Sequence, residues 1–105
     1  MTTKPGEMYI VDLGISGKLR PMVVVSREDF DPPRALTICA PVTTAYRASK
    51  YEVDIGKPRF MRMHSYVNVQ GLQAIQNHEL GKRIGMLDDK AIAKICVALK
   101  YAFNL

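Results

Sequence analysis

The residues of this chain best suited to chemistry are arginines, lysines and threonines set between apolar runs, and these types suit a polyanionic substrate. Arg20-Pro21 is the first such feature. The pyrrolidine ring fixes the backbone directly after the arginine. A guanidinium there presents a rigid, permanently charged fork of donors to phosphate oxygens. In an enzyme it would stabilise the charge that builds on a phosphate under attack; in a plain domain it is a surface arginine at a strand start. Pro41-Val42-Thr43-Thr44 is the second feature. An apolar run ends there in two adjacent hydroxyls that can hydrogen-bond a phosphate or a base edge, although threonine is also simply common in strands.

Basic residues recur in three loops: Lys18 with Arg20, Arg47 with Lys50, and Lys57 with Arg59 and Arg62. If these loops converge on one face they form a groove for a phosphate backbone, with Tyr46 and Phe60 among them to stack bases. Met61 and Met63 read as fillers of a core gap or an interface. His64, next to the Arg59–Arg62 loop, is a candidate RNA contact or proton carrier, and His78 stands apart from it. Other chemistries lack their patterns. There is no nucleophile elbow, glycine-rich phosphate loop, dinucleotide fingerprint or carboxylate-histidine spacing. Cys39 and Cys96 are far apart in sequence, so neither a metal nor a cofactor is expected.

The elements that must position these groups follow from the apolar pattern. A breaker at Lys4-Pro5-Gly6 separates a short tail, residues 1–5, from one domain over 6–105. Met8–Leu13 reads as a strand, Gly14–Arg20 as a flexible basic loop, and Pro21–Ser26 as a second strand with its proline at the first residue. Ala35–Val42 is almost continuously apolar, as at the centre of a small barrel. Tyr51–Ile55 alternates apolar and charged residues, so it has one wet face. Ser65–Gln70 reads as a strand kinked at Gly71 before Leu72–Ile75, Gln76–Leu80 as one helical turn, and Gly81–Met86 as a last short strand. The chain closes on a helix capped by Asp88 or Asp89, with Ile92, Ile95, Cys96, Leu99 and Phe103 as its apolar stripe. The pattern predicts a mainly β fold with one helix: a small, strongly bent antiparallel sheet closed into a barrel with the helix at its side.

Composition agrees with a nucleic-acid partner. The 105 residues carry 15 Lys and Arg against 10 Asp and Glu, a net charge of +5. That excess favours polyanions by counterion release and steering, though it also merely keeps a small domain soluble. Two cysteines in apolar runs read as buried thiols of a reducing cytoplasm. No apolar run approaches the ~20 residues that span a bilayer, and the start shows no secretion signal. A cytoplasmic protein with no membrane contact is expected.

The ordered set of Gly6–Leu13, a glycine-bearing loop, Arg20–Ser26, Cys39–Thr44, Tyr51-Glu52-Val53, Ser65–Gln70 and Leu80–Gly85 before a closing helix resembles the MazF/PemK toxins of bacterial toxin-antitoxin pairs. The resemblance spans nearly the whole chain. It implies an SH3-like (CcdB/MazF-type) barrel with a C-terminal amphipathic helix, forming a homodimer. It implies metal-free cleavage of single-stranded RNA, in which the ribose 2′-hydroxyl attacks the adjacent phosphate. Carried onto this chain, the catalytic pair is Arg20, for transition-state charge and proton handling, and Thr43, for holding the scissile phosphate. Lys18, Thr44, Arg47, Lys50, Arg59, Arg62, His64, Gln70 and Gln73 are the expected RNA contacts. The partner is a cognate antitoxin whose acidic segment folds onto the basic groove. The sequence departs from the family in a short first loop. It also has Gln70-Gly71-Leu72 where members often carry Gln-x-Arg or Gln-x-Lys, which leaves Gln70 and Gln73 to contact bases. The alternative is a non-catalytic barrel, either a CcdB-like gyrase poison or a binder of RNA or antitoxin.

Overall fold

Short apolar runs separated by polar turns give strands β1 (Glu7–Asp12), β2 (Leu19–Val24), β3 (Leu36–Thr43), β4 (Glu52–Gly56), β5 (Ser65–Asn68), β6 (Gln73–Gln76) and β7 (Leu80–Met86), followed by helix α1 (Asp89–Phe103). The computed structural model describes residues 2–12 and 19–105. Most of the expected basic loop after β1, Lys18 included, lies outside the described residues.

All pairings are antiparallel, in the order β4-β5-β3-β2-β1-β7, with β6 also on β3. The sheet is bent like a barrel, but the expected closure is corrected: among the described residues the path ends at β4 and β7. A short 3-10 turn, Asn77–Glu79, carries the chain from β6 to β7 in place of a ladder.

Both faces of the β1–β2–β3 region are buried. Met8, Val23 and Ala40 join Val53, Val67, Val69, Leu87, Ile95 and Ala98 under the helix. Tyr9, Val11, Met22, Val24 and Cys39 point the other way, onto Ile75 and Leu80. Large side chains buried in this manner are worth roughly 1.5–3 kcal/mol each. This double burial explains the apolar stretches Met22–Val24 of β2 and Cys39-Ala40 of β3, while Leu36 and Ile38 at the start of β3 stay exposed. Strands β4 and β5 bury one face only, so they alternate.

The helix starts where the Asp88 carboxylate accepts the Ala91 N–H at 2.8 Å and stops at Asn104, in the left-handed conformation at φ 57°. Its expected stripe is corrected. Ile95 and Ala98 are buried, with Ala91, Ile92, Leu99 and Ala102 packed beside them, while Cys96 and Phe103 face out. Alanines at 91, 98 and 102 let the helix lie close to the sheet, which turns the buried face away from Cys96. The reading of two buried thiols is therefore corrected as well: Cys39 is buried and Cys96 is exposed.

Candidate functional site

Two prolines shape the site. Val25 donates its N–H to the Ile38 carbonyl at 2.9 Å, and the β2–β3 register runs on through Val24↔Cys39, Val23↔Ala40 and Met22↔Pro41. Hydrogen-bonded and non-hydrogen-bonded pairs alternate along an antiparallel ladder. The next hydrogen-bonded pair after Val23 and Ala40 would be Pro21 with Val42. Pro21 has no N–H to give, and the ladder ends one pair short of it. On its other edge β2 pairs onward with β1 through Ile10↔Pro21, Val11↔Arg20 and Asp12↔Leu19. Strand β2 thus begins at Leu19, two residues earlier than the sequence pattern suggests.

Pro41 acts on the opposite edge of β3. Its missing N–H faces the line formed by β5 and β6. There the pairing shifts from Val42↔Val67 in β5 to Cys39↔Gln73 in β6, across the 3-10 turn Val69–Gly71. The expected strand over Ser65–Gln70 therefore ends at Asn68, whose side chain accepts the Gln70 N–H. Gly71 fits against the proline ring: a Cβ there would lie 2.8 Å from Pro41 Cγ.

Arg20 and Thr43 sit just beyond these interruptions. The β2–β3 register stops at Met22↔Pro41, two residues short of Arg20 on one strand and of Thr43 on the other. Opposite residues share a face. Arg20 pairs with buried Val11, and strand alternation puts Thr43 on the face of Cys39 and Pro41, so both lie at the rim of the core formed by Val11, Met22 and Cys39. Gln73, paired with Cys39, faces the same way.

Thr43 also lines a cleft of about 460 Å³ with Ala45, Arg47, Ser49, Tyr51, Glu52, Asn68 and Gln70. Its hydroxyl oxygen accepts the Ala45 N–H at 3.0 Å, which leaves the hydroxyl proton to be donated to a ligand. Glu52 organises the cleft wall. Its carboxylate accepts the Arg47 N–H at 3.1 Å, and the Ser49 N–H at 3.0 Å and hydroxyl at 2.8 Å. These bonds flank Ala48, which is held at φ 55°, a conformation unfavourable for a residue with a Cβ. The Ser49 hydroxyl foremost, with the amides of Ser49 and Arg47, holds the Glu52 carboxyl below its usual range.

The structure gathers some of the expected RNA contacts and disperses others. Thr43, Arg47 and Gln70 share the cleft. Thr44 is exposed beside Thr43, and Arg62 is exposed in the loop between β4 and β5. His64 pairs with Asp54 at 2.6 Å on the outer face of β4 and β5. Lys50 and Arg59 lie apart from the cleft. The Lys50 ammonium lies over the Tyr101 ring, 5.4 Å from its centre, in a separate hollow against α1. Arg59 lines another hollow with Met86, Leu87 and Asp88. Phe60 is corrected as a base-stacking residue: it packs into the core against Gly85, where a Cβ would strike its ring. Sequence reasoning missed Glu52, Ser49 and Asn68. The signal for Glu52 and Asn68 was the alternation of β4 and β5, read only as a wet face.

A family model described as "PemK-like, MazF-like toxin of type II toxin-antitoxin system" matches residues 4–103. "Probable endoribonuclease MazF5" of Mycobacterium tuberculosis is 33% identical over 108 residues, covering 99% of this chain and 97% of that protein. Among solved structures, a mycobacterial endoribonuclease in complex with its cognate antitoxin superposes with a TM-score of 0.85 at 26% identity, covering 98% of this chain and 96% of its own. The Mycobacterium tuberculosis toxin MazF-mt6 gives a TM-score of 0.77 at 28% identity, over 97% of this chain and 98% of its own.

Proposed function

Because this chain belongs to the PemK-like, MazF-like toxins of type II toxin-antitoxin systems, a family of endoribonucleases, we propose that it cuts single-stranded RNA at short sequence motifs, without a metal and as a homodimer. The observation that supports this reading is that Arg20, paired with buried Val11, and Thr43, on the face of Cys39, both lie just past the end of the β2–β3 ladder. In the reaction the ribose 2′-hydroxyl attacks the adjacent phosphorus and the 5′-oxygen departs. A cyclic phosphate and a 5′-hydroxyl result, and DNA, which lacks the attacking group, is spared. Arg20 meets the charge that builds on the phosphoryl oxygens and takes part in proton handling. The Thr43 hydroxyl donates to a non-bridging oxygen and holds the phosphate in place. Arg47 and Gln70, on the same cleft wall, contact the flanking backbone and bases.

The protein acts in the cytoplasm, where RNA cleavage arrests growth; no helix among the described residues is long and apolar enough to cross a membrane. A cognate antitoxin with an acidic, disordered segment neutralises it by folding onto the basic surface. Apolar side chains exposed on α1, Val97 at 68% and Phe103 at 59%, are surface that the second copy would cover.

Incubating the purified, antitoxin-free protein with a mixed RNA pool and mapping new 5′-hydroxyl ends tests the reading. Cuts at a shared short motif are expected, and a single 2′-deoxy substitution at the attacking ribose should abolish each. Intact RNA in the presence of folded protein overturns it.

A further inference from the structure

Outside the cleft, the exposed face of β3, β5 and β4 carries a row of rings that the catalytic reading does not use. Tyr66 pairs with Thr43 on one side and with Asp54 on the other. Directly opposite residues share a face, with Cβ atoms about 5 Å apart, so the Tyr66 ring and the Thr43 hydroxyl stand side by side. Tyr46, three residues past Thr43, lies flat on Tyr66, with ring centres 4.4 Å apart and planes 11° apart. His64 adjoins the other side of Tyr66 at 5.1 Å. Its direction is set by the 2.6 Å bond from Nε2 to Asp54. Tyr46 remains 53% exposed, so the row ends in an open aromatic face.

We propose that the Tyr46–Tyr66–His64 row is a nucleobase-stacking subsite, which takes an unpaired base of the RNA next to the nucleotide whose phosphate Thr43 holds. The inference rests on the ribonuclease reading and adds a position for one base. A flat ring pair beside a phosphate-binding hydroxyl matches the way single strands are held, by stacked bases alternating with backbone contacts. Two acids, Glu52 and Asp54, lie near the row, with their carboxylates turned to protein donors and their charge retained. Glu52 is engaged by the Arg47 and Ser49 amides, and Asp54 by His64, the Gly56 N–H and the field of Lys94. Arg47 lies in the same short loop as Tyr46 and supplies positive charge beside the platform. An aromatic side chain of an antitoxin segment would meet the same surface, but it has no need of the adjoining Thr43 hydroxyl.

The test is a coupling measurement on RNA that cannot be cut. A short single-stranded RNA carrying a mapped cleavage site, blocked by a 2′-O-methyl at the attacking ribose, is bound to the full-length protein. Each base is then removed in turn. If the wild type cuts nothing in the pool, the tightest-binding RNA from that pool replaces the mapped one, so failure of cleavage and failure of stacking are read separately. Removal of one base beside the scissile phosphate should weaken wild-type binding about tenfold. Tyr46→Ala should bind the intact RNA about tenfold more weakly and show no further loss at that abasic position, whereas Tyr46→Phe should behave as wild type. Tyr46 lies in an exposed loop, so its variants keep the fold, and Tyr66→Ala provides a second arm. An abasic penalty of full size in both alanine variants overturns the proposal. So does unchanged RNA binding with weakened antitoxin binding, which would assign the rings to the protein partner.

Discussion

Strands β1 and β2 with the Cys39-Ala40 stretch of β3, and strands β4 and β5, belong to one sheet yet live under different constraints. The first region is packed on both faces: Met8, Val23 and Ala40 face the helix, and Met22, Val24 and Cys39 face Ile75 and Leu80. The second is packed on one face only, by Val53 and Val67, and its other face carries Glu52, Asp54, Tyr66 and Asn68. The doubly packed region supplies rigidity, and the half-bare region leaves polar side chains open. Thr43 lies where the two meet, because β3 outruns β2 at the missing N–H of Pro21 and continues along β5. A side chain on such a seam has a stiff strand behind it and open surface beside it.

Substitutions should separate the two regions. Met8 is fully buried, and Met8→Ala should lower unfolding free energy by about 2–5 kcal/mol through lost burial and the cavity left behind. A urea titration reads this, and a loss below 1 kcal/mol would mean the core relaxes around the gap. Arg20→Ala should do the reverse, with an unchanged melting curve and an RNA cleavage rate lower by about 100- to 1000-fold, the effect of one missing donor to a charged transition state. Cutting at the wild-type rate removes Arg20 from the mechanism.

The thiols sharpen the contrast. Burial pushes Cys39 from 9.0 to about 11, so its thiolate fraction at pH 8 falls about 100-fold. One thiol, Cys96, should react with an aromatic disulfide reagent in the folded protein and two in denaturant; two in the native state would show that the core opens readily. The smallest effect concerns pH. Glu52 titrates below its ordinary 4.5 when folded, so its contribution to the Arg47–Ser49 loop is complete above that value and is lost as pH falls through the lower folded one. Amide exchange at Arg47 and Ser49, corrected for intrinsic pH dependence, should lose protection at that acid end in wild type. Glu52→Gln should lack this step.

Much of this was legible beforehand because hydrophobic period reports burial directly. The almost continuous apolar run of Ala35–Val42 marked a central strand, Tyr51–Ile55 marked one with a wet face, and Asp88 or Asp89 marked the helix start. Arg20 and Thr43 stood out by type and by their place beside prolines, and the resemblance to the toxin family assigned them roles. The RNA contacts were less legible, since a lysine or arginine in a loop carries no mark of the direction in which the loop points. Lys50 and Arg59 turned to hollows of their own, and Phe60 went into the core because Gly85 leaves room for its ring. The helix stripe misled because alanines, small enough for close approach, won the packed side over the larger Cys96 and Phe103.

By itself the sequence determined which segments run as strands and which one winds as a helix, because these follow from apolar period. Only the tertiary structure decided that the β2–β3 ladder stops after Met22↔Pro41 and that Thr43 stands beside Tyr66. Those outcomes depend on register between strands distant in the chain. Register is fixed by the packing of two cores at once, which no local stretch of residues encodes.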